Sequence, residues 1–277
     1  MSVTKYFNGL AFAEKQEKHL KEAVSALVKK GRIPKLVSIV VGDEEGALKY
    51  QELKKKKAKE IGATVEIVKI PAITSMNRFI EVINKANNDG SVHGVMVQLP
   101  LPKVIRNEQP TIINAISPKK DVDGMRDDSP FVAPVVLAVG KALTMADKDG
   151  PCHVVVVGGK GFVGGMIVKY LWQTHKSWTI EGLDLQDDLQ HRLREADVVI
   201  SAVGQKDLIK PEMVKKGVVL IDVGAPSGDI AKEAYTKASF ASPVPGGVGP
   251  ATIHFLLVNL ISAAFESVDV ANNSYRT

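Results

Sequence analysis

Tyr50 and Lys54 stand at i and i+4 in a stretch with helical spacing, so their side chains share one face. A lysine beside a tyrosine in a partly dry cleft can have its pKa lowered into the range useful for proton transfer. The pair alone fits a solvated helix face better, because Lys54 opens the run Lys54-Lys55-Lys56-Lys57. Gln98 lies at the end of the strand pattern Gly94-Val95-Met96-Val97-Gln98-Leu99, within Val97-Gln98-Leu99-Pro100-Leu101-Pro102. Open α/β sheets place their ligands at such strand ends. Lys120-Asp121-Val122-Asp123-Gly124 puts two acids on a loop, where carboxylates can accept paired N–H donors of a ring. The plainer alternative for that loop is an Asx-turn.

A second constellation is Gly158-Gly159-Lys160-Gly161-Phe162-Val163-Gly164, between an apolar strand pattern and a helix pattern. Glycines there let the backbone turn tightly and approach a pyrophosphate, and the following helix start offers free N–H groups. A βα turn that needs small residues only for packing is the competing reading. An acid about 20 residues beyond such a loop can hold the ribose hydroxyls of NAD. Asp184 is the candidate, with Glu181 its rival. No arginine or serine that would suit a 2′-phosphate stands at that strand end.

The elements that position these groups alternate as short apolar runs and amphipathic helices, the pattern of α/β units with parallel strands. Strands are expected at Leu36 to Val41, Val65 to Val68 and Gly94 to Leu99. Helices are expected at about Glu45 to Ile61, Ser75 to Asn87 and Thr111 to Ile116. Met125 to Pro134 lacks periodicity and reads as a linker to a second domain. That domain opens with a helix from about Val135 to Ala146 and continues with strands at His153 to Val157, Asp197 to Ser201 and Val218 to Asp222. An apolar helix from about Ala251 to Ser267 is expected to return to the first domain. The domain boundaries are therefore 1–133, 134–253 and a C-terminal helix in 254–277, with frayed ends at Met1 to Lys5 and Asn272 to Thr277.

With 277 residues, 45% hydrophobic and 24% charged, the chain can bury a full core. No apolar run reaches the roughly 18 residues of a membrane span. The start lacks a signal-peptide pattern, so a cytoplasmic location is expected. One cysteine, Cys152, excludes an internal disulfide framework and a multi-cysteine zinc site; no metal is expected. The net charge of +5 comes with only 5% aromatic residues and no basic-aromatic pattern suited to stacking bases. The expected partner is an anionic small molecule, with neither nucleic acid nor membrane.

Taken together, Tyr50 with Lys54, Val97-Gln98-Leu99-Pro100-Leu101-Pro102, Lys120-Asp121-Val122-Asp123-Gly124 and Pro243-Val244-Pro245-Gly246-Gly247-Val248-Gly249-Pro250 are similar in order and spacing to known signature segments. They resemble those of the bifunctional methylenetetrahydrofolate dehydrogenase/methenyltetrahydrofolate cyclohydrolase family. Ala196-Asp197, Ala202-Val203-Gly204 and Ile221-Asp222-Val223-Gly224 fit the same pattern, so the resemblance covers nearly the whole chain. It implies a two-domain α/β fold: an N-terminal catalytic domain for folate, a Rossmann-type dinucleotide domain, and a cleft between them. It implies oxidation of 5,10-methylenetetrahydrofolate by hydride transfer to NAD or NADP, then hydrolysis of the methenyl cation to 10-formyltetrahydrofolate. By this resemblance Lys54 is the central proton-transfer group, Gln98 tunes it, Tyr50 stacks on the folate and Asp121 anchors the pterin edge. Val97, Leu99, Pro100, Pro245, Gly246 and Gly247 would complete the substrate side. Gly158, Gly159, Lys160, Val163, Gly164, Asp184, Ala202, Val203, Gly204, Gly224 and Ala225 would hold the cofactor. Tetrahydrofolate derivatives, including polyglutamylated forms, and a homodimer are implied as partners.

The departures from the family pattern cluster in the cofactor half. Lys160 stands where a serine is usual, and Gly159 where arginine or alanine is common. Glu181-Gly182-Leu183-Asp184 replaces a histidine followed by serine or arginine, Val132-Ala133-Pro134 replaces Cys-Thr-Pro, and Ala225 replaces an isoleucine. These changes favour NAD over NADP. They leave two alternatives: a cyclohydrolase with weak or lost dehydrogenase activity, and a non-catalytic folate-binding protein.

Overall fold

The computed structural model describes residues 3–42, 45–148 and 150–265, without the side chains of residues 45–47 and 49. In chain order the elements are β1 (Lys5–Tyr6), α1 (Gly9–Val28), β2 (Lys35–Val41), α2 (Glu45–Glu60), β3 (Thr64–Ile70), α3 (Met76–Asn88), β4 (Gly94–Val97) and α4 (Gln109–Asn114). They continue with α5 (Pro134–Ala146), β5 (His153–Val157), α6 (Phe162–Thr174), β6 (Thr179–Leu183), α7 (Leu189–Glu195), β7 (Val198–Ser201), β8 (Val219–Asp222), β9 (Phe240–Ser242) and α8 (Val248–Ala264). Two compact units divide them. One is built on Glu14–Pro134 with the described residues from Ile253 onward, the other on Val135–Thr252 with those before Glu14.

The first unit has a parallel sheet in the order β3-β2-β4. Side chains alternate across a strand, and the alternation sorts two cores. Val37, Ile39, Val95 and Val97 pack with Phe79 and Ile83 of α3 and Ile112 of α4. Leu36, Val65 and Met96 pack on the other face with α1, α2 and α8. The apolar residues of α1 there, Leu20, Ala23, Val24 and Leu27, recur at i, i+3, i+4 and i+7, the stripe of a helix with one buried face. Ser38 falls on the same face as Leu36, a polar residue at a core position with no exposure. The segment Met125 to Pro134 is not a free linker. Phe131 is buried in the core beside Val122, and the Asn259 amide donates to Val122 O at 2.9 Å and Val132 O at 3.0 Å. Two apolar residues, Phe131 and Ala133, anchor this aperiodic stretch.

The second unit carries an all-parallel sheet in the order β1-β9-β8-β7-β5-β6. The chain leaves β5 through α6 to β6 on one side and reaches β7 through α7 on the other. β5 therefore stands at a topological switch point, where ligands sit beyond the strand ends. The N-terminus corrects the expected boundary of 1–133. Lys5 pairs with Phe240 and Tyr6 with Ala241, and the Thr4 hydroxyl donates to Ala238 O at 2.9 Å. The described residues before Glu14 thus belong to this unit, and Thr4 and Lys5 are tied down, not frayed. Met1, Ser2 and residues 266–277 lie outside the described residues, so the expected fraying at the C-terminus and the helix end at Ser267 fall there. Among the described residues no helix is long and apolar enough to cross a membrane.

Candidate active site

In the first unit α2 and the end of β4 bring a lysine, a tyrosine and two glutamines together. Lys54 is 3% exposed, and its amine donates to Gln98 Oε1 at 2.8 Å. It sits 3.6 Å from Met96 Sδ and 4.9 Å above the centre of the Tyr50 ring. Burial holds its pKa down at about 8, against an opposing pull from the Asp123 carboxylate. Burial likewise pushes Asp123 up to about 6, with Lys54 pulling it down and Asp121 pushing it further up. The Tyr50 phenol is raised by burial and by Asp123, so it stays protonated at any working pH. The four lysines of the run thus differ sharply: Lys54 is a buried proton-transfer candidate, Lys55 and Lys56 are exposed, and Lys57 is half-buried and pairs with Glu60 at 2.7 Å.

The two acids of the loop separate in the structure. Asp121 has no exposure, and its carboxylate accepts the Met125 N–H at 3.3 Å and the Arg126 N–H at 2.9 Å. It closes its own turn, as an Asx-type side chain does. Asp123 is the acid whose charge reaches Lys54 and Tyr50. Asp121, expected to anchor the substrate, thus spends its carboxylate on backbone N–H groups, while Asp123, two residues on, is the loop acid near Lys54. Gln51 and Ser38 were not singled out by the sequence. The Gln51 amide donates to Gln98 Oε1 at 2.6 Å, and the Ser38 hydroxyl donates to Gln51 Oε1 at 2.7 Å. The signal that could have found them is Ser38 itself, a hydroxyl inside an otherwise apolar strand. Gln98 donates in turn to Leu99 O at 2.6 Å, and Leu99-Pro100 is a cis peptide. Val97 is buried in the core, whereas Leu99 and Pro100 reach the surface.

In the second unit the residues fit a dinucleotide. Gly158 has a φ of 79°, and a Cβ on Gly164 would lie 2.1 Å from Gly158 O. Only glycine allows the turn and the close approach of α6 to it. The N-cap of α6 is Gly161, which offers no side-chain cap, so the N–H groups of the first turn, including that of Val163, have no capping side chain as partner. Gly159 packs its backbone on Gly182 of β6, where a Cβ would meet Gly182 Cα at 2.4 Å. Ala202, Val203 and Gly204 follow β7, and Gly224 and Ala225 follow β8, all at the same ends of the strands. Two buried carboxylates hold these loops: Asp229 accepts the Val203 N–H at 2.8 Å, and Asp222 accepts the Gly224 N–H at 2.9 Å. Asp184 stands one residue past β6, partly exposed, while Glu181 is consumed by Arg192 and by His153 at 3.3 Å. The Lys160 amine lies 2.6 Å from Asp187 Oδ2. Pro245, Gly246 and Gly247 belong to this unit, where the Gly9 N–H donates to Gly246 O at 2.8 Å. Among the described residues no group of three or more His, Cys, Asp or Glu could hold a metal.

A parallel sheet with a glycine turn at its switch point and a separate α/β unit built around a buried lysine define a nucleotide-dependent two-unit enzyme. Residues 7–123 match the catalytic-domain model of the tetrahydrofolate dehydrogenase/cyclohydrolase family, and residues 138–268 match its NAD(P)-binding-domain model. The chain belongs to that family. It is 37% identical to the bifunctional protein FolD of Staphylococcus aureus (strain JH9), over 94% of this chain and 96% of that protein. Among solved structures it resembles the bifunctional FolD of Campylobacter jejuni, at 31% identity and TM-score 0.86, covering 95% of this chain and 99% of that one. It also resembles FolD of Trypanosoma brucei, solved with NADP and an inhibitor, at 28% identity and TM-score 0.87, covering 97% and 100%. Its place is in one-carbon folate metabolism, as a dehydrogenase/cyclohydrolase with an NAD(P)-binding domain.

Proposed function

We propose that Lys54 performs the proton transfers of methenyltetrahydrofolate hydrolysis in this protein, and that the preceding oxidation of 5,10-methylenetetrahydrofolate prefers NAD to NADP. The observation that carries the reading is the Lys54 amine, buried, held by Gln98 Oε1 and opposed by Asp123. A nicotinamide dinucleotide, when bound against Gly158, Gly159, Val163, Gly164, Gly204 and Gly224, supplies the acceptor for the hydride. The chain's part in that step is alignment of the two rings, with Tyr50 stacking on the folate. In hydrolysis the oxygen of water bonds to the methenyl carbon and its proton passes to the neutral Lys54 amine. The C–N5 bond then breaks: N5 takes the proton back from the Lys54 ammonium, the remaining hydroxyl proton leaves to solvent as the C=O forms, and 10-formyltetrahydrofolate is left. A cationic substrate beside Lys54 disfavours the ammonium further, which helps the first transfer. Asp123 accepts the pterin N–H donors.

The NAD preference rests on charge. Asp184 can accept both ribose hydroxyls of NAD and repels a 2′-phosphate. Lys160 is the one base in the glycine turn, and it is already paired with Asp187, whose carboxylate also accepts the Asp184 N–H at 2.6 Å. A kcat/KM about tenfold or more in favour of NAD is expected, the effect of one poorly screened repulsion. Hydrolysis without cofactor and oxidation with NAD and with NADP, on one preparation, test the whole reading. A higher kcat/KM with NADP sinks the preference, and no oxidation with either leaves a cyclohydrolase. The same reading includes a homodimer and polyglutamylated substrate, measured by light scattering and by KM for a triglutamate.

Asp123→Asn is expected to raise the substrate Kd roughly 10- to 100-fold, the loss of a charge-assisted hydrogen bond. It should also move the acid limb of the hydrolysis pH profile to lower pH. The sign follows from Asp123 raising Lys54: without that charge the amine loses its proton earlier. Unchanged binding and an unmoved limb would take Asp123 out of the site.

A further inference from the structure

We propose that Gln51, seated on Ser38, is a positioning residue for Lys54: it shares the Gln98 carboxamide oxygen with the lysine amine and holds that oxygen in place. The inference rests on the reading of Lys54 above. Gln51 and Lys54 are at i and i+3 on α2, so both reach the same side, toward the end of β4. Gln51 has no exposure, and a buried carboxamide must find partners for its oxygen and its N–H groups. The Ser38 hydroxyl donates to Gln51 Oε1 at 2.7 Å, and Gln51 Nε2 donates to Gln98 Oε1 at 2.6 Å.

The network has one consistent orientation. Gln98 Nε2 faces the carbonyl oxygen of Leu99 at 2.6 Å, so its Oε1 must face Gln51 and Lys54. Turning Gln51 over would set its oxygen against Gln98 Oε1, two acceptors in contact. Gln98 Oε1 therefore receives two donors, one from Gln51 and one from Lys54 at 2.8 Å. The consequence for Lys54 is twofold. One N–H of the amine is fixed on the Gln98 side, which leaves the lone pair of the neutral form for the reacting water. The oxygen it meets is already partly engaged, so it binds the ammonium less strongly than a free carboxamide would. Gln51 thus favours the neutral, proton-accepting amine without touching substrate.

The test is Gln51→Met, close to the native length and compatible with a helix, assayed for methenyltetrahydrofolate hydrolysis across pH 6 to 10 with correction for the uncatalysed rate. The acid limb of kcat is expected to move to higher pH by roughly half to one unit, because Lys54 then has Gln98 Oε1 to itself and keeps its proton longer. KM should stay near wild type. Ser38→Ala, which removes the donor to Gln51, should move the limb the same way by less, and it decides the matter if Gln51→Met does not fold. A folded variant with an unmoved limb, or one that changes KM alone, overturns the proposal. Lys54→Met measured alongside separates the two readings. If it stays active, the role of Lys54 fails. If it is inactive while Gln51→Met keeps the wild-type profile, only the role of Gln51 fails.

Discussion

Lys54→Met is expected to lower methenyltetrahydrofolate hydrolysis by roughly 10²–10⁴-fold, the usual worth of a positioned proton-transfer group, while substrate binding stays largely intact. Methionine matches the length and apolar stem of lysine and can fill the space beside Met96 and the Tyr50 ring. The same variant should be more stable than the wild type. Holding the amine at about 8 in place of 10.5 corresponds to about 3 kcal/mol against its charged form in the fold. The sign of the pH dependence is definite. Between about pH 8 and 10.5 the unfolded chain binds the proton that the folded protein has lost, so wild-type stability rises through that window. Below about pH 8 the full penalty of the buried charge is present. Lys54→Met has no such rise, and its margin over the wild type should shrink as pH approaches 10. Near wild-type hydrolysis in this variant would remove Lys54 from the chemistry, and a loss of thermal stability would contradict the burial argument.

The parts of this site that were legible in the sequence are those whose side chains sit on regular elements. Helical spacing put Tyr50 and Lys54 on one face, and the strand pattern ending at Gln98 put the carboxamide at a strand end. That Gln98 meets Lys54 was implied by the family resemblance and not by spacing, and in the structure the lysine amine reaches both Gln98 Oε1 and the Tyr50 ring. The loop acids were legible as a pair but not individually. Asp121 is taken by the Met125 and Arg126 N–H groups while Asp123 is left to act on Lys54, and that division depends on how the turn to Arg126 closes. Gln51 stayed hidden because a glutamine on a lysine-rich helix looks solvated; its burial depends on Ser38, on a strand 13 residues earlier. β1 was beyond reach for a different reason. A two-residue strand has no period to read, and its partner is Phe240–Ala241, at the far end of the chain. The glycine turn was legible because its chemistry is local: strand, turn and helix follow one another directly. What the turn could not reveal is that Lys160 is engaged by Asp187, a contact made by the loop after the next strand.

Gly164→Ala should abolish oxidation and spare hydrolysis. Gly164 lies in the first turn of α6, with its Cα against the carbonyl of Gly158. A Cβ there would stand 2.1 Å from Gly158 O and 2.6 Å from Gly158 C. Both are backbone atoms, so no side-chain rotation can relieve the clash. α6 must move off the turn or the turn must reshape, at about 1–3 kcal/mol for overpacking in a close-packed region. Either response displaces the N–H groups that would meet the pyrophosphate. A misplacement of about 1 Å at a reacting geometry costs on the order of 10²-fold, and here cofactor binding suffers as well. Lys54, Gln98 and Asp123 lie in the other unit, so hydrolysis without cofactor should remain within a few-fold of wild type. Dinucleotide titration by fluorescence, thermal unfolding and both assays on one preparation measure each limb of the argument. Oxidation with a wild-type KM for the dinucleotide would mean that the glycine turn following β5 does not hold the cofactor.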